Sequence, residues 1–178
     1  MMNTEETKYT RVEYERRFLV SSLAHWRGAV EPYSKTFEDK YLHNTRLRLR
    51  LLTDTDTGRQ LIKLNKKLES SSPYFQTISR ILLSPSEYKL LDGLKGDRLR
   101  KTRYYHHYLG RVFSIDVFGG ELEGLVLCET EAEGLEELMS VEPPEYAKPE
   151  VTEDDFFTGG NLCRTSRTEL LRKLSMFV

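Results

Sequence analysis

For most of the chain, apolar and polar residues alternate one by one, the period of a strand with unlike faces. The first run is Val12-Glu13-Tyr14-Glu15-Arg16-Arg17-Phe18-Leu19-Val20. Residues 38–52 carry two strands' worth of the pattern, ending in Arg46-Leu47-Arg48-Leu49-Arg50-Leu51. Asp54 to Gly58 is a turn, and Gln60–Lys67 is the returning strand. The Asp54-x-Asp56 pair there lacks the glycine position and closing glutamate of a calcium loop, so it reads as a plain hairpin. Tyr74–Leu83, Arg98–Leu109, Arg111–Phe118 and Leu125–Glu133 complete the set of about eight strands.

Helical signals are few. Ser84-Pro85-Ser86-Glu87 has the form of a helix start, with Tyr88, Leu90, Leu91 and Leu94 as its apolar stripe and Gly96 as the stop. Ser21 or Ser22 caps a short helix through Arg27, with Trp26 as a core or lid aromatic. Glu133–Ser140 is a short acidic helix ended by Pro143-Pro144. Residues 152–178 form a loop and then a C-terminal helix around Thr168–Phe177. Short connections favour antiparallel pairing, and eight strands suffice to close a barrel. The expectation is a single domain over 1–178, an α+β fold built on an antiparallel eight-stranded β-barrel with short helices outside.

Parity along the strands gives the unusual feature. Glu13, Glu15 and Arg17 share a face; so do Arg46, Arg48 and Arg50; so do Lys63, Asn65 and Lys67; so do Lys101 and Arg103; so do Glu129 and Glu131. Asp116 faces away from Ile115 and Val117, and Leu127 falls on the glutamate side. An ordinary half-wet sheet carries mixed polar residues on its outer face. Here like charges repeat about 7 Å apart along a strand. Rows of arginine call for an anion and paired glutamates call for a cation. A polyanion with divalent metal answers both. If these faces line the barrel, its lumen is charged and its apolar face points outward, under the helices.

Composition sharpens this picture. The 178 residues carry 27 Lys+Arg and 28 Asp+Glu, a net charge of −1. That sum hides 14 basic against 6 acidic residues over 41–107, and 2 against 14 over 108–160. Charged residues make up 31% of the chain, above the usual share of about 25%. No apolar run reaches the roughly 18 residues of a membrane helix, and the polar start lacks a secretory h-region. Two cysteines make no disulfide framework and fit a reducing, cytoplasmic setting. Cys128 reads as a small buried residue, and His106 and His107 as surface or loop residues. A basic nucleic-acid-binding barrel is disfavoured, because the paired glutamates repel phosphate in the absence of metal.

Six motifs then occur in a fixed order. They are Glu13-x-Glu15-x-Arg17, Arg46-x-Arg48-x-Arg50, Leu61-Ile62-Lys63, Lys101-x-Arg103, Ser114-Ile115-Asp116-Val117-Phe118 and Glu129-x-Glu131. Together with Pro143-Pro144 and Val151-Thr152, they resemble the CYTH superfamily, the triphosphate tunnel metalloenzymes, over residues 12–162. The lysine strand fits that pattern with Lys63 or with Lys66/Lys67. The chain departs from the family at Arg17, where lysine is usual, and at Asp154-Asp155-Phe156-Phe157, which lacks the Arg and Tyr of Asp-x-Arg-Tyr. Arg80 is the nearest counterpart of a basic residue on the strand before the middle helix.

The resemblance implies a Mg2+- or Mn2+-dependent triphosphatase acting on inorganic triphosphate. The alternatives are a thiamine or nucleoside triphosphatase, a class IV adenylate cyclase, or a non-catalytic polyphosphate- or nucleotide-binding module. No His-Phe pair of the cyclase type stands in residues 8–12. By resemblance, Arg17, Lys63 and Glu15 serve catalysis. Arg46, Arg48, Arg50, Lys63, Lys101 and Arg103 bind the triphosphate, and Glu13, Glu15, Asp116, Glu129 and Glu131 hold the metal. The expected partner is a small-molecule triphosphate, with no membrane and no nucleic acid, in a monomer or homodimer.

Overall fold

A computed structural model describes residues 9–21, 25–68 and 70–177. Eight strands form a closed antiparallel barrel: β1 (Thr10–Val20), β2 (Ser34–Leu42), β3 (Leu47–Asp54), β4 (Gln60–Lys67), β5 (Phe75–Leu82), β6 (Gly96–Tyr108), β7 (Arg111–Phe118) and β8 (Val126–Ala132). The spatial order is β5-β4-β3-β2-β6-β7-β8-β1, and β1 pairs back onto β5 to close the ring. β1 shares one edge between two partners. Its first half pairs with β5 and its second half with β9 (Ala147–Glu150), a short outer strand that the alternation does not reveal. Outside the barrel, Arg16 locks β9 to β1 through a bidentate pair with Glu150 at 3.0 and 2.7 Å.

The helices are short: α1 (Pro85–Asp92), α2 (Leu135–Met139), α3 (Gly159–Leu162) and α4 (Arg167–Leu174). Ser84 with Glu87, and Ser166 with Glu169, form capping boxes at the starts of α1 and α4. α1 ends at Gly93, not Gly96. Gly96 opens β6, where a β-carbon would lie 2.5 Å from the carbonyl oxygen of Tyr41 on the neighbouring strand. α3 falls within the stretch that reads as loop. The helix expected from Ser21 or Ser22 runs into undescribed residues; beyond them, one 3-10 turn spans Trp26–Gly28. The Asp54 turn is a hairpin, with the Asp54 carboxylate accepting from the Thr57 N–H and hydroxyl.

The interior is inverted as the parity implies, with one correction. Apolar residues of β1, β7 and β8 pack outside the barrel: Phe18, Val20, Phe113, Ile115 and Cys128, covered by Trp26, Val141 and Ala147. The inside is not charged along its whole length. Leu19, Leu99 and Leu127 form an apolar floor at one end, covered by Phe157, Leu162 and Leu170. This accounts for Leu127, which sits on the glutamate side because it belongs to the floor. No described helix is long and apolar enough to cross a membrane.

Candidate active site

Above the floor lies a cavity of about 270 Å³. Nine of the described residues that line it are basic: Arg11, Arg17, Arg48, Arg50, Lys63, Lys67, Arg80, Lys101 and Arg103. Five acids face them: Glu13, Glu15, Asp39, Glu129 and Glu131. Strand pairing sets this out directly. Glu15 lies opposite Glu131 and Arg17 opposite Glu129 across β1–β8, while Arg50 lies opposite Asp39 and Lys63 across its two neighbours.

Most of these charges are held by partners. Arg17 is buried between Glu15 at 2.6 Å and Glu129 at 3.1 Å, and its backbone N–H donates to Thr152 Oγ1. Arg103 bridges Glu129 and Asp116, each at 2.6 Å. Glu13 accepts from Arg11 at 2.7 Å and Arg80 at 2.8 Å. Arg50 grips Asp39 with two bonds of 2.6 Å, with Arg48 3.9 Å from the same carboxylate. Burial alone would raise the Asp39 pKa; Arg50 and then Arg48 overcome it and hold the carboxyl at about 2. Glu129 likewise stays well below the usual range, because Lys101, Arg103 and Arg17 outweigh burial.

Two lumen cations differ. The side chains of Lys63 and Lys67 make no hydrogen bond or ion pair among the described residues. Burial lowers both pKa values: for Lys63, Arg80 and Arg50 push the same way, and for Lys67, burial outweighs the attraction of Glu15. Glu131 shows the opposite imbalance. Burial next to Glu13 and Glu15 pushes its carboxyl up.

Two expected site residues are placed differently. Arg46 shares the parity of Arg48 but lies on the exposed turn before β3, outside the cavity lining. Asp116 is not part of the cavity lining but sits behind it, sharing Arg103 with Glu129. It is fully buried, and its oxygens accept from Lys101 and from Arg103 at 2.6 Å, so it orients these two cations. The other expected ligands, Glu13, Glu15, Arg17, Arg48, Arg50, Lys63, Lys101, Arg103, Glu129 and Glu131, converge on the one cavity. Sequence reasoning missed Asp39 and Tyr41. Their parity on β2 is masked by the charged triplet Glu38-Asp39-Lys40. Arg11 and Gln76 also join the lining. A β-carbon on Gly159 would collide with the Tyr41 hydroxyl, so a glycine lets α3 close against this wall.

The remaining candidates lie elsewhere. His106 stands on β6, not in a loop, with its Nδ1 2.7 Å from the Tyr146 hydroxyl. Cys128 is buried and free, and burial pushes its thiol pKa up, away from nucleophilic use.

Hard oxygen donors are present for a divalent cation in Glu13, Glu15, Glu129 and Glu131, and burial, with Glu13 and Glu15 beside it, raises the pKa of Glu131. Among the described residues no three acid, imidazole or thiol groups already converge on one point. The arginines occupy the glutamates instead.

No family model matches the chain. The chain is 33% identical over 154 residues to an inorganic triphosphatase of Nitrosomonas europaea, spanning 80% of this chain and 90% of that protein. It is similar to the crystal structure of an inorganic triphosphatase, with a TM-score of 0.57 and 25% identity over 86% of this chain and 95% of the other. A Pyrococcus horikoshii protein shares the fold at TM-score 0.53 and 19% identity, over 91% of this chain and 99% of that one.

Proposed function

The chain belongs to the CYTH superfamily of triphosphate tunnel enzymes, and on that premise we propose that it hydrolyses inorganic triphosphate within its charged lumen. The single observation that carries this reading is the closed ring of nine cations and five carboxylates above an apolar floor. Such a lumen suits a small, highly charged anion. Identity to an inorganic triphosphatase supports the choice of substrate.

Arg48, Arg50, Lys63, Lys101 and Arg103 bind and align the phosphate chain. Phosphoryl transfer needs little covalent assistance, so fixed positive charge facing the equatorial oxygens does most of the work. Lys63 meets the phosphate as an unpaired ammonium and supplies charge that the paired arginines have committed elsewhere. A guanidinium does not release its proton, so Arg17 acts by holding Glu15 and Glu129 in place. Glu15 offers its second carboxylate oxygen to the attacking water. Glu13, Glu15, Glu129 and Glu131 would hold Mg2+ or Mn2+. Bound there, such a cation would supply charge neutralisation at the phosphate oxygens and Lewis-acid activation of water.

One observation favours a second reading, an organic triphosphate. A polar opening of about 410 Å³ between residues 70–76 and 152–158 shares Glu15, Arg17, Lys67 and Gln76 with the lumen, and has room for an organic group.

Phosphate release from tripolyphosphate, ATP and thiamine triphosphate, each with Mg2+, Mn2+ or EDTA, tests both readings. The expected result is fastest turnover of tripolyphosphate and none in EDTA. Preference for an organic substrate selects the second reading, and no release from any of the three overturns both.

A further inference from the structure

The wall formed by β3, β4 and β5 contains an accounting problem. Asn65 is 1% exposed, yet neither its Nδ2 nor its Oδ1 has a hydrogen-bond partner. Nε of Arg48 and Nε of Arg80 are also buried without partners. These atoms belong together. Arg48 stands directly opposite Asn65 across β3–β4, and Arg80 directly opposite it across β4–β5. Residues so paired point to the same face with Cβ atoms about 4.5–5.5 Å apart. Arg80 donates an Nη to Glu13 at 2.8 Å, while Arg48 lies 3.9 Å from Asp39 and beside the hydroxyl of Tyr41, its opposite residue on β2.

The row thus holds donors on Arg48, Arg80 and Asn65 but a single acceptor, Asn65 Oδ1. Turning one arginine satisfies that acceptor and one donor. The Tyr41 hydroxyl, opposite Arg48 on β2, can take one of the donors left over, and the amide Nδ2–H still lacks an acceptor. A buried amide without partners is costly, and a leucine of similar size would fold more readily there. Asn65 itself lies behind the cavity lining, between Arg48 and Arg80, while Lys63 and Lys67 of its strand line the cavity unpaired; turning one arginine opens the amide to that lumen, where the absent acceptor has the character of an anion.

We propose that Asn65 is a substrate-binding residue for the phosphate chain: its Oδ1 takes an Nε–H from one flanking arginine, while its Nδ2–H and the other Nε–H close on non-bridging phosphate oxygens. This rests on the triphosphate reading of the lumen. It assigns to a neutral side chain the task of fixing Arg48 and Arg80 relative to the substrate. A lysine or arginine at this place would add repulsion between neighbours that are already cationic.

The test uses the full chain and tripolyphosphate as the probe. Melting temperature is measured with and without tripolyphosphate in EDTA, and steady-state hydrolysis with the divalent metal. Asn65→Leu is expected to match or exceed the wild-type melting temperature without ligand. It should lose most of the tripolyphosphate-induced shift and raise KM roughly tenfold or more, the usual loss for a hydrogen bond to a charged group. The effect on kcat should be smaller, because the contact exists before the transition state. Asn65→Asp provides an internal partner for both arginines, so it should be more stable without ligand and bind the anion still less. Asn65→Gln should recover part of the KM loss. Wild-type KM and a wild-type anion shift in Asn65→Leu overturn the proposal. So does a lowered melting temperature with unchanged KM, the mark of a packing role. If Asn65→Leu does not fold, the Asn65→Asp comparison decides, and an unchanged anion shift there overturns the proposal. If the wild-type chain itself neither binds nor hydrolyses tripolyphosphate, the functional reading fails first. Binding by the wild type with equal binding by Asn65→Leu sinks only the assignment of Asn65.

Discussion

On β1 and β8 every lumen carboxylate has a guanidinium within hydrogen-bond reach: Glu13 has Arg11 and Arg80, Glu15 has Arg17, Glu129 has Arg17 and Arg103, and Glu131 has Arg11 at 3.4 Å. On β4, Lys63, Asn65 and Lys67 have no such partner among the described residues. Both walls line one cavity, but the first is neutralised by its own residues while the second is complete only with something bound. Paired charges inside a protein hold a shape, since removing one member leaves a buried charge exposed to its full desolvation cost. Unpaired ones contribute nothing comparable to the fold, which leaves them free for a ligand. Stability and binding should therefore separate by wall.

The largest effect tests the paired side. Asp116→Ala leaves Lys101 and Arg103 buried with only Glu129 between them, and should lower unfolding free energy by roughly 3–5 kcal/mol in urea denaturation. An unchanged midpoint would show that the paired charges behind the lumen do not hold its shape. Next comes Glu131→Gln. It should reduce metal-dependent phosphate release roughly 100-fold, the upper end of the loss for a residue supporting a metal site. Its melting temperature should hold or rise, because burial beside Glu13 and Glu15 already disfavours the carboxylate. Wild-type turnover would remove Glu131 from the site.

The smallest effect is a pH profile of stability without ligand. Asp39 titrates at about 2 when folded and near 3.8 when free, so the stability it contributes is present above pH 4 and fades as pH falls towards 2. Lys63 and Lys67 have lowered pKa values in the fold, so their cost is felt below those values and lifts as pH approaches the free value of 10.5. Asp39→Asn should flatten the acid limb and Lys67→Met the alkaline limb. Each substitution altering the opposite limb would contradict the assignment.

Much of this was legible in the chain. The alternation around Arg48 and Arg50 marks β3, and the turn before Gln60 marks the start of β4, because each strand is read by one local period. The inverted interior followed from repeated charge on one face. What stayed hidden depends on contacts distant in sequence. β9 has four residues and is defined by its pairing with β1, not by its own pattern. Leu99 and Leu127 sit on the charged parity because the C-terminal segment caps that end of the barrel. Asp116 shares the site's chemistry, but only the cross-strand register shows that it serves Lys101 and Arg103. Asn65 looks like a neutral spacer between lysines until its unsatisfied amide is seen beside two unsatisfied arginines.

A crystal structure of the full chain grown with tripolyphosphate would show where the anion sits. Phosphate density is expected inside the barrel, bounded by Arg48, Lys63, Lys101 and Arg103, with new contacts to the β4 wall. Density confined to the opening beside residues 70–76, or an ordered anion only on the outer surface while the lumen ion pairs stay intact, would contradict it.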